Sequence, residues 1–282
     1  MEANEILEST WHARSWRFLA KRANFSFLVT AIILAYVFAA HGQTSPPPTY
    51  DVKMKHIWIP MKDGVRLAAN LLMPVGAKPG EKFPAIFKYD PYRKDDNDTV
   101  ECELVKYFVA RGYVGACIDI RGTGRSEEHV PDMEYSEQEL SDGEEVIAWP
   151  ASQPWSSGSV GIYGKSYSGF NGIELAMRNP TALKAIITVD STDKLYEGDC
   201  IYSDGVMNMG DGYNFGIDAH NAFSPSPNFP IDEKTLNNRF DNPPWSRVWM
   251  KHQHDDAFWH DPVKSPGSIR IPVFLIGGFL DE

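Results

Sequence analysis

The chain has 282 residues, enough for one large domain with a subdomain or for two modest domains. Its apolar fraction of 43% and charged fraction of 23% are those of a globular protein and exclude a disordered or collagen-like chain. With 38 acidic against 27 basic residues the formal net charge is -11, and such a body is repelled by phosphate backbones, so nucleic acid is not an expected partner.

Arg14, Arg17, Lys21 and Arg22 precede an uncharged apolar run from Phe25 to Ala40, after which "HGQTSPPPTY" turns polar and proline-rich. This pattern predicts an export signal over residues 1–43, with small residues at Ala40 and Gly42 suited to cleavage before Gln43. The run falls a little short of the roughly 20 residues that cross a bilayer. An uncleaved membrane anchor is the alternative, and it is the only membrane association the sequence suggests. Either way the body is expected outside the cytoplasm, periplasmic or secreted. Residues 44–51 read as a linker.

From residue 52 the folded body begins. "HIWIPMKDGVRLAANLLMP" gives two alternating runs around Asp63-Gly64, a dipeptide that supplies the positive φ of a hairpin. Residues 83–90 form a short apolar run, and 101–112 place Leu104, Val105, Phe108 and Val109 on one helical face before Gly112. Strands are predicted at 113–120, 160–164, 183–190 and 271–278, with helices at 137–149 and 167–178. Continuous apolar strands separated by helices imply an α/β fold with a mostly parallel sheet covered on both faces. The body divides into core residues 52–190, an insertion over 191–265 rich in Gly, Asn, Asp, Trp and His, and core residues 266–282. Long irregular segments of that kind tend to be functional lids.

Chemistry concentrates in "VGIYGKSYSGF". Ser166 lies where a strand gives way to a helix, with Gly164, Ser168 and Gly169 as its small neighbours. A sharp strand-to-helix turn thrusts a serine hydroxyl out at the carboxyl edge of a sheet and aims the first helical N–H groups at a reacting carbonyl. The strict G-x-S-x-G pattern is not met, because position 168 is serine. Taken alone, the pattern also fits a serine that merely caps a helix.

"PMKDGVRLAANLLMP", "YDPYRKDD", "DIRGTGRSEE" and "WPASQPWSSGSVGIYGKSYSGF", with the later "HDDAFWHDP" and "IPVFLIGGFLDE", resemble the α/β-hydrolase family of bacterial cocaine esterase, X-prolyl dipeptidyl peptidase and the α-amino acid ester hydrolases. The likeness runs over residues 52–282, and its nucleophile motif, Gly-x-Ser-Tyr-x-Gly, is the form found here. The resemblance implies Ser166 as nucleophile, the Tyr92 hydroxyl and the Tyr167 backbone N–H as oxyanion donors, and Asp281 as the acid of a triad. It implies no cofactor and no metal, and a small ester, amide or short peptide as substrate. In such hydrolases the order is nucleophile, acid, histidine. None of the eight histidines follows Asp281, so the base and any further domain are expected downstream, as for a truncated reading frame.

Other readings stay open. His252, His254, Asp255, Asp256, His260 and Asp261 carry ligand types for a metal hydrolase, without the spacing of H-E-x-x-H. A non-catalytic binding module on the same fold is a further alternative. Within the insertion, Tyr196, Tyr202, Tyr213, Phe215 and Trp259 suggest an aromatic-lined site, and Asp199, Asp204 and Asp211 are either solvated loop acids or partners for a substrate amine. "RGTGRS" lacks phosphate-loop spacing and reads as a turn. Cys102, Cys117 and Cys200 read as buried thiols, with at most one disulfide among them.

Overall fold

In a computed structural model of the chain, which describes residues 45–95, 99–196, 201–203, 205–210, 216, 233–241, 243–260 and 265–278, the alternating runs become a seven-stranded sheet. The export segment and Asp281 lie outside the described residues. From Pro48 onward the chain is one compact unit.

Strands β1 (Asp51–Pro60) and β2 (Arg66–Val75) pair antiparallel across a turn in which Gly64 takes φ 93°. The expected opening hairpin is therefore present. Next come β3 (Phe83–Asp90), helix α1 (Thr99–Val109), β4 (Val114–Asp119), α2 (Glu137–Ala151), β5 (Ser156–Lys165), α3 (Tyr167–Arg178) and β6 (Leu183–Val189). A two-stranded ladder, β7 (Tyr202–Ser203) with β8 (Val206–Met207), and short helices α4 (Glu233–Phe240), α5 (Trp245–Trp249) and α6 (Ala257–His260) follow, before β9 (Val273–Ile276). The sheet order is β1-β2-β4-β3-β5-β6-β9. β4, β3, β5, β6 and β9 run parallel to one another, while β2 meets β4 antiparallel.

The two faces are read from alternation along single strands. Leu71, Ala116 and Ile118 point into the larger core with Val146, Ile147 and Leu175 of α2 and α3. Leu72 and Cys117 point the other way, against Val105 and Val109 of α1. Gly115 allows that contact, since a Cβ there would stand 2.4 Å from the Val105 side chain. Cys102 of α1 and Cys117 of β4 form a disulfide, with Cα atoms 6.6 Å apart. These two are therefore not the free buried thiols expected from the sequence; Cys200 is not among the described residues.

The described residues of the insertion are better organised than its composition suggested. Trp245, Trp249 and Trp259 are almost wholly buried. The Trp245 Nε1–H donates to the Pro131 carbonyl at 2.8 Å, tying the insertion to the loop before α2.

Candidate active site

Between the last residue of β5 and the first of α3, Ser166 stands at φ 51°, ψ -119°. A side chain rarely takes this conformation, and it costs on the order of 1–3 kcal/mol unless its surroundings enforce it. Here they do. The Ser166 N–H donates to the Val189 carbonyl at 2.9 Å, and the Ser166 carbonyl accepts from Gly169 and Phe170 N–H, each at 2.9 Å, and from Ser191 Oγ at 3.1 Å. A Cβ on Gly164 would meet the Ser168 backbone at 2.2 Å, and one on Gly169 would meet Ser191 Oγ at 2.0 Å.

Ser168, the departure from the strict motif, is fully buried. Its hydroxyl accepts from the Lys165 N–H at 3.0 Å and donates to the Lys165 carbonyl at 3.1 Å, stapling the turn from inside. Ser166, by contrast, is exposed, and its side chain makes no capping hydrogen bond to α3. A serine serving only as a cap would make one.

Tyr92 lies just past the carboxyl end of β3, the strand beside β5. Open parallel sheets gather their binding groups at this edge. Its turn is pinned from several sides. The Asp90 carboxylate accepts the Tyr92 N–H at 3.0 Å and pairs with buried Lys88 at 2.8 Å. The Asp119 carboxylate at the end of β4 accepts the Lys94 and Arg125 N–H groups at 2.7 and 3.0 Å. Burial pushes the Asp119 carboxyl up to about 6. "DIRGTGRS" is thus a structural turn, as expected, with Arg121 held in a buried bidentate pair to Asp142 at 2.6 and 2.7 Å. The Tyr92 and Tyr167 rings meet edge-on, centroids 6.0 Å apart.

Beneath this edge lies a group the sequence reading missed, Glu139 in the first turn of α2. Its carboxylate accepts from the Tyr167 hydroxyl at 2.9 Å, from Asn171 Nδ2 at 2.7 Å and from the Tyr135 N–H at 3.0 Å. Ser136 Oγ in turn accepts the Glu139 N–H at 3.2 Å. "SEQE" is a capping-box pattern, and that was the available signal. Burial is the main reason the Glu139 carboxyl is pushed up to about 7, with Asp142 adding to it and the three hydrogen bonds opposing. The Tyr167 phenol, buried beside it, is held well above its ordinary range for the same reason.

The sequence profile of the X-Pro dipeptidyl-peptidase (S15) family matches residues 63–282. The chain belongs to this family. Cocaine esterase of Rhodococcus sp. is 33% identical over 144 residues, 50% of this chain and 24% of that protein. A CocE/NonD family hydrolase from Staphylococcus aureus superposes with a TM-score of 0.64 at 19% identity, over 83% of this chain and 46% of the other. An α-amino acid ester hydrolase superposes at 0.61 with 21% identity, over 85% and 44%. These likenesses establish the α/β-hydrolase fold. The matched region spans 28%, 24% and 47% of the length of three of the curated relatives.

For this S15-family chain, the structure brings together Ser166, Tyr92 and Tyr167 at one sheet edge. Asp281 lies outside the described residues, as do Tyr213, Phe215, Asp199, Asp204 and Asp211. Tyr196, Tyr202 and Trp259 do cluster, with centroids 4.7 to 5.7 Å apart, but all three are buried in one another. They belong to the main hydrophobic core and not to an open aromatic lining. A cavity of about 160 Å³ borders Tyr196 and Trp259, lined also by Asp193, Lys194, Asp255 and His260. The histidine and aspartate run separates into pairs, His252 with Asp256 at 3.1 Å and His260 with Asp255 at 2.7 Å. Among the described residues no group of three or more such side chains is placed to hold a metal ion, and Asp261 is not described.

Proposed function

We propose that the chain is a serine hydrolase that cleaves small acyl esters, amides or short peptides through an acyl-enzyme on Ser166. One observation carries the reading. An exposed serine is held at positive φ on a strand-to-helix turn, uncommitted to capping, with glycines where any Cβ would collide. A hydroxyl needs a base and oxyanion donors to act as a nucleophile. Ser166 Oγ adds to the carbonyl carbon as its proton passes to a histidine. The oxyanion is held by the Tyr92 hydroxyl and the Tyr167 N–H. Collapse expels the alcohol or amine, which takes that proton, and water then releases the acid by the same steps. Asp281 is assigned to orient the histidine. Four of the five described histidines, His56, His129, His252 and His260, are bonded to other groups. The family membership and the esterase and peptidase names of the relatives support the reaction class without fixing the substrate.

Fluorophosphonate labelling of a protein extended through the histidine expected after Asp281 tests the assignment. Stoichiometric modification that maps to Ser166 and disappears in Ser166→Ala is expected, and unchanged labelling of Ser166→Ala would refute it. Export is proposed as well, on the cationic and apolar N-terminal pattern and on the Cys102–Cys117 disulfide, since such bonds persist in oxidising compartments. Among the described residues no helix is long and apolar enough to cross a membrane.

A further inference from the structure

We propose that Glu139 is a positioning residue for the oxyanion site. Through the Tyr167 hydroxyl and the Asn171 amide it fixes the first turn of α3, and with it the backbone N–H that follows Ser166. The inference rests on Ser166 being the nucleophile.

The helix start that contains Glu139 is already capped by Ser136. An acid buried to 0% exposure is costly there unless every oxygen is satisfied. Two of its three donors come from another helix, from residues four apart on one face of α3. Tyr167 is thereby held at both ends. Its backbone follows the strained Ser166, and its hydroxyl ends on Glu139. Between them the ring is clamped, 4.4 Å from Tyr135, stacked on Trp245 at 6.3 Å and met edge-on by Tyr92 at 6.0 Å. With the ring held on three sides, a change at the hydroxyl is transmitted to the backbone. Asn171 locks the next turn, and its Nδ2 also lies 3.3 Å from the Tyr89 carbonyl. The Tyr89 hydroxyl returns to the Glu139 carbonyl at 3.3 Å. The Glu139 carboxylate therefore ties α2 to α3, and Asn171 and the Glu139 backbone carbonyl carry the tie on to β3.

Positioning of this kind matters kinetically, because a displacement of about 1 Å in a catalytic group costs on the order of 100-fold. Losing an oxyanion donor outright costs about 100- to 1,000-fold. Loosening the Tyr167 N–H is therefore expected to cost about 10- to 100-fold.

The test measures, in the protein extended through the histidine expected after Asp281, fluorophosphonate labelling of wild type, Ser166→Ala, Glu139→Gln, Tyr167→Phe and the Glu139→Gln/Tyr167→Phe double variant. Rates are taken per folded molecule and resolved into the limiting rate and the half-saturating probe concentration. Both single variants should lower the limiting rate about 10- to 100-fold and leave the half-saturating concentration unchanged. The double variant should be no slower than the slower single one, because both act through the same contact. Phenylboronic acid, which forms a tetrahedral adduct on the serine, should lose affinity by a matching factor. A residue that only supports the fold would lower the melting temperature and leave the rate per folded molecule alone. If Glu139→Gln does not fold, Tyr167→Phe carries the test, since it deletes one oxygen and keeps the ring. Limiting rates within twofold of wild type, with Ser166→Ala unlabelled, would overturn the role of Glu139 and leave the nucleophile standing. Labelling that persists in Ser166→Ala would overturn both.

Discussion

Glu174, in the middle of α3, offers a sharp test of the energetics. It is 1% exposed, and its Oε1 has no hydrogen-bond partner among the described residues. Burial pushes its carboxyl up to about 8, nearby Asp193 adds to this, and Arg178, which is bonded to Glu137 and Glu144, opposes it. The folded chain thus keeps a proton that the unfolded chain gives up near pH 4.5. Stability from this group is fully present below pH 4.5 and falls as pH rises toward 8. At about 1.4 kcal/mol per pH unit, the loss between pH 5 and pH 8 comes to roughly 3–4 kcal/mol. Glu174→Gln preserves the shape and cannot ionise. Glu139 and Asp119 titrate in the same direction in both proteins, so the difference between the proteins isolates Glu174. The melting temperature of Glu174→Gln minus that of wild type should grow by about 7–14 °C from pH 5 to pH 8. Calorimetric scans across that range, at constant ionic strength, read the difference. A difference that stays flat within about 2 °C would refute the assignment of a buried, late-ionising carboxyl.

Removing the Tyr92 hydroxyl as Tyr92→Phe should slow fluorophosphonate labelling about 100- to 1,000-fold, while the N–H groups accepted by Asp90 and Asp119 keep the turn in place. Reducing the Cys102–Cys117 bond, which closes a loop with a sequence separation of 15, should destabilise the fold by about 3 kcal/mol, read as the shift in urea midpoint with and without dithiothreitol. Gly164→Ala should abolish labelling and cost upwards of about 3 kcal/mol, since its Cβ would lie 2.2 Å from the Ser168 backbone; a soluble, normally labelled variant would contradict the geometry of the turn.

What was legible in the sequence was what local patterns encode. Alternation gave the β1–β2 hairpin, apolar runs gave the parallel strands, and the strand-to-helix break at Ser166 gave the turn that carries the proposed nucleophile. What was not legible depends on groups brought together from distant positions. Glu139 reads locally as a capping box, and only the packing of α2 against α3 turns it toward Tyr167. Nothing in the spacing of Cys102 and Cys117 says that α1 crosses β4 with those side chains facing. Trp245 reads as one more aromatic in an irregular stretch until its ring is found stacked on Tyr167.

Ser168 shows the same distinction within a single motif and supplies the last prediction. By pattern alone it is a deviation, a serine where the strict form has glycine. In the fold it is a completely buried residue whose hydroxyl serves both the N–H and the carbonyl of Lys165, so the turn is stapled by a side chain that glycine lacks. Restoring the strict pattern with Ser168→Gly should therefore weaken the protein. Two hydrogen bonds contribute about 0.5–1.5 kcal/mol each, and glycine near the start of a helix costs a further 0.5–1 kcal/mol or so, for a loss of about 1.5–4 kcal/mol. Labelling per folded molecule should stay within about threefold of wild type, because Gly164 and Gly169 still enforce the close approach and Ser166 keeps its backbone anchors at Val189 and Ser191. Urea denaturation paired with labelling rates separates the two effects. A Ser168→Gly protein as stable as wild type would mean that the staple contributes nothing, and that the tight backbone packing around Gly164 closes the turn by itself.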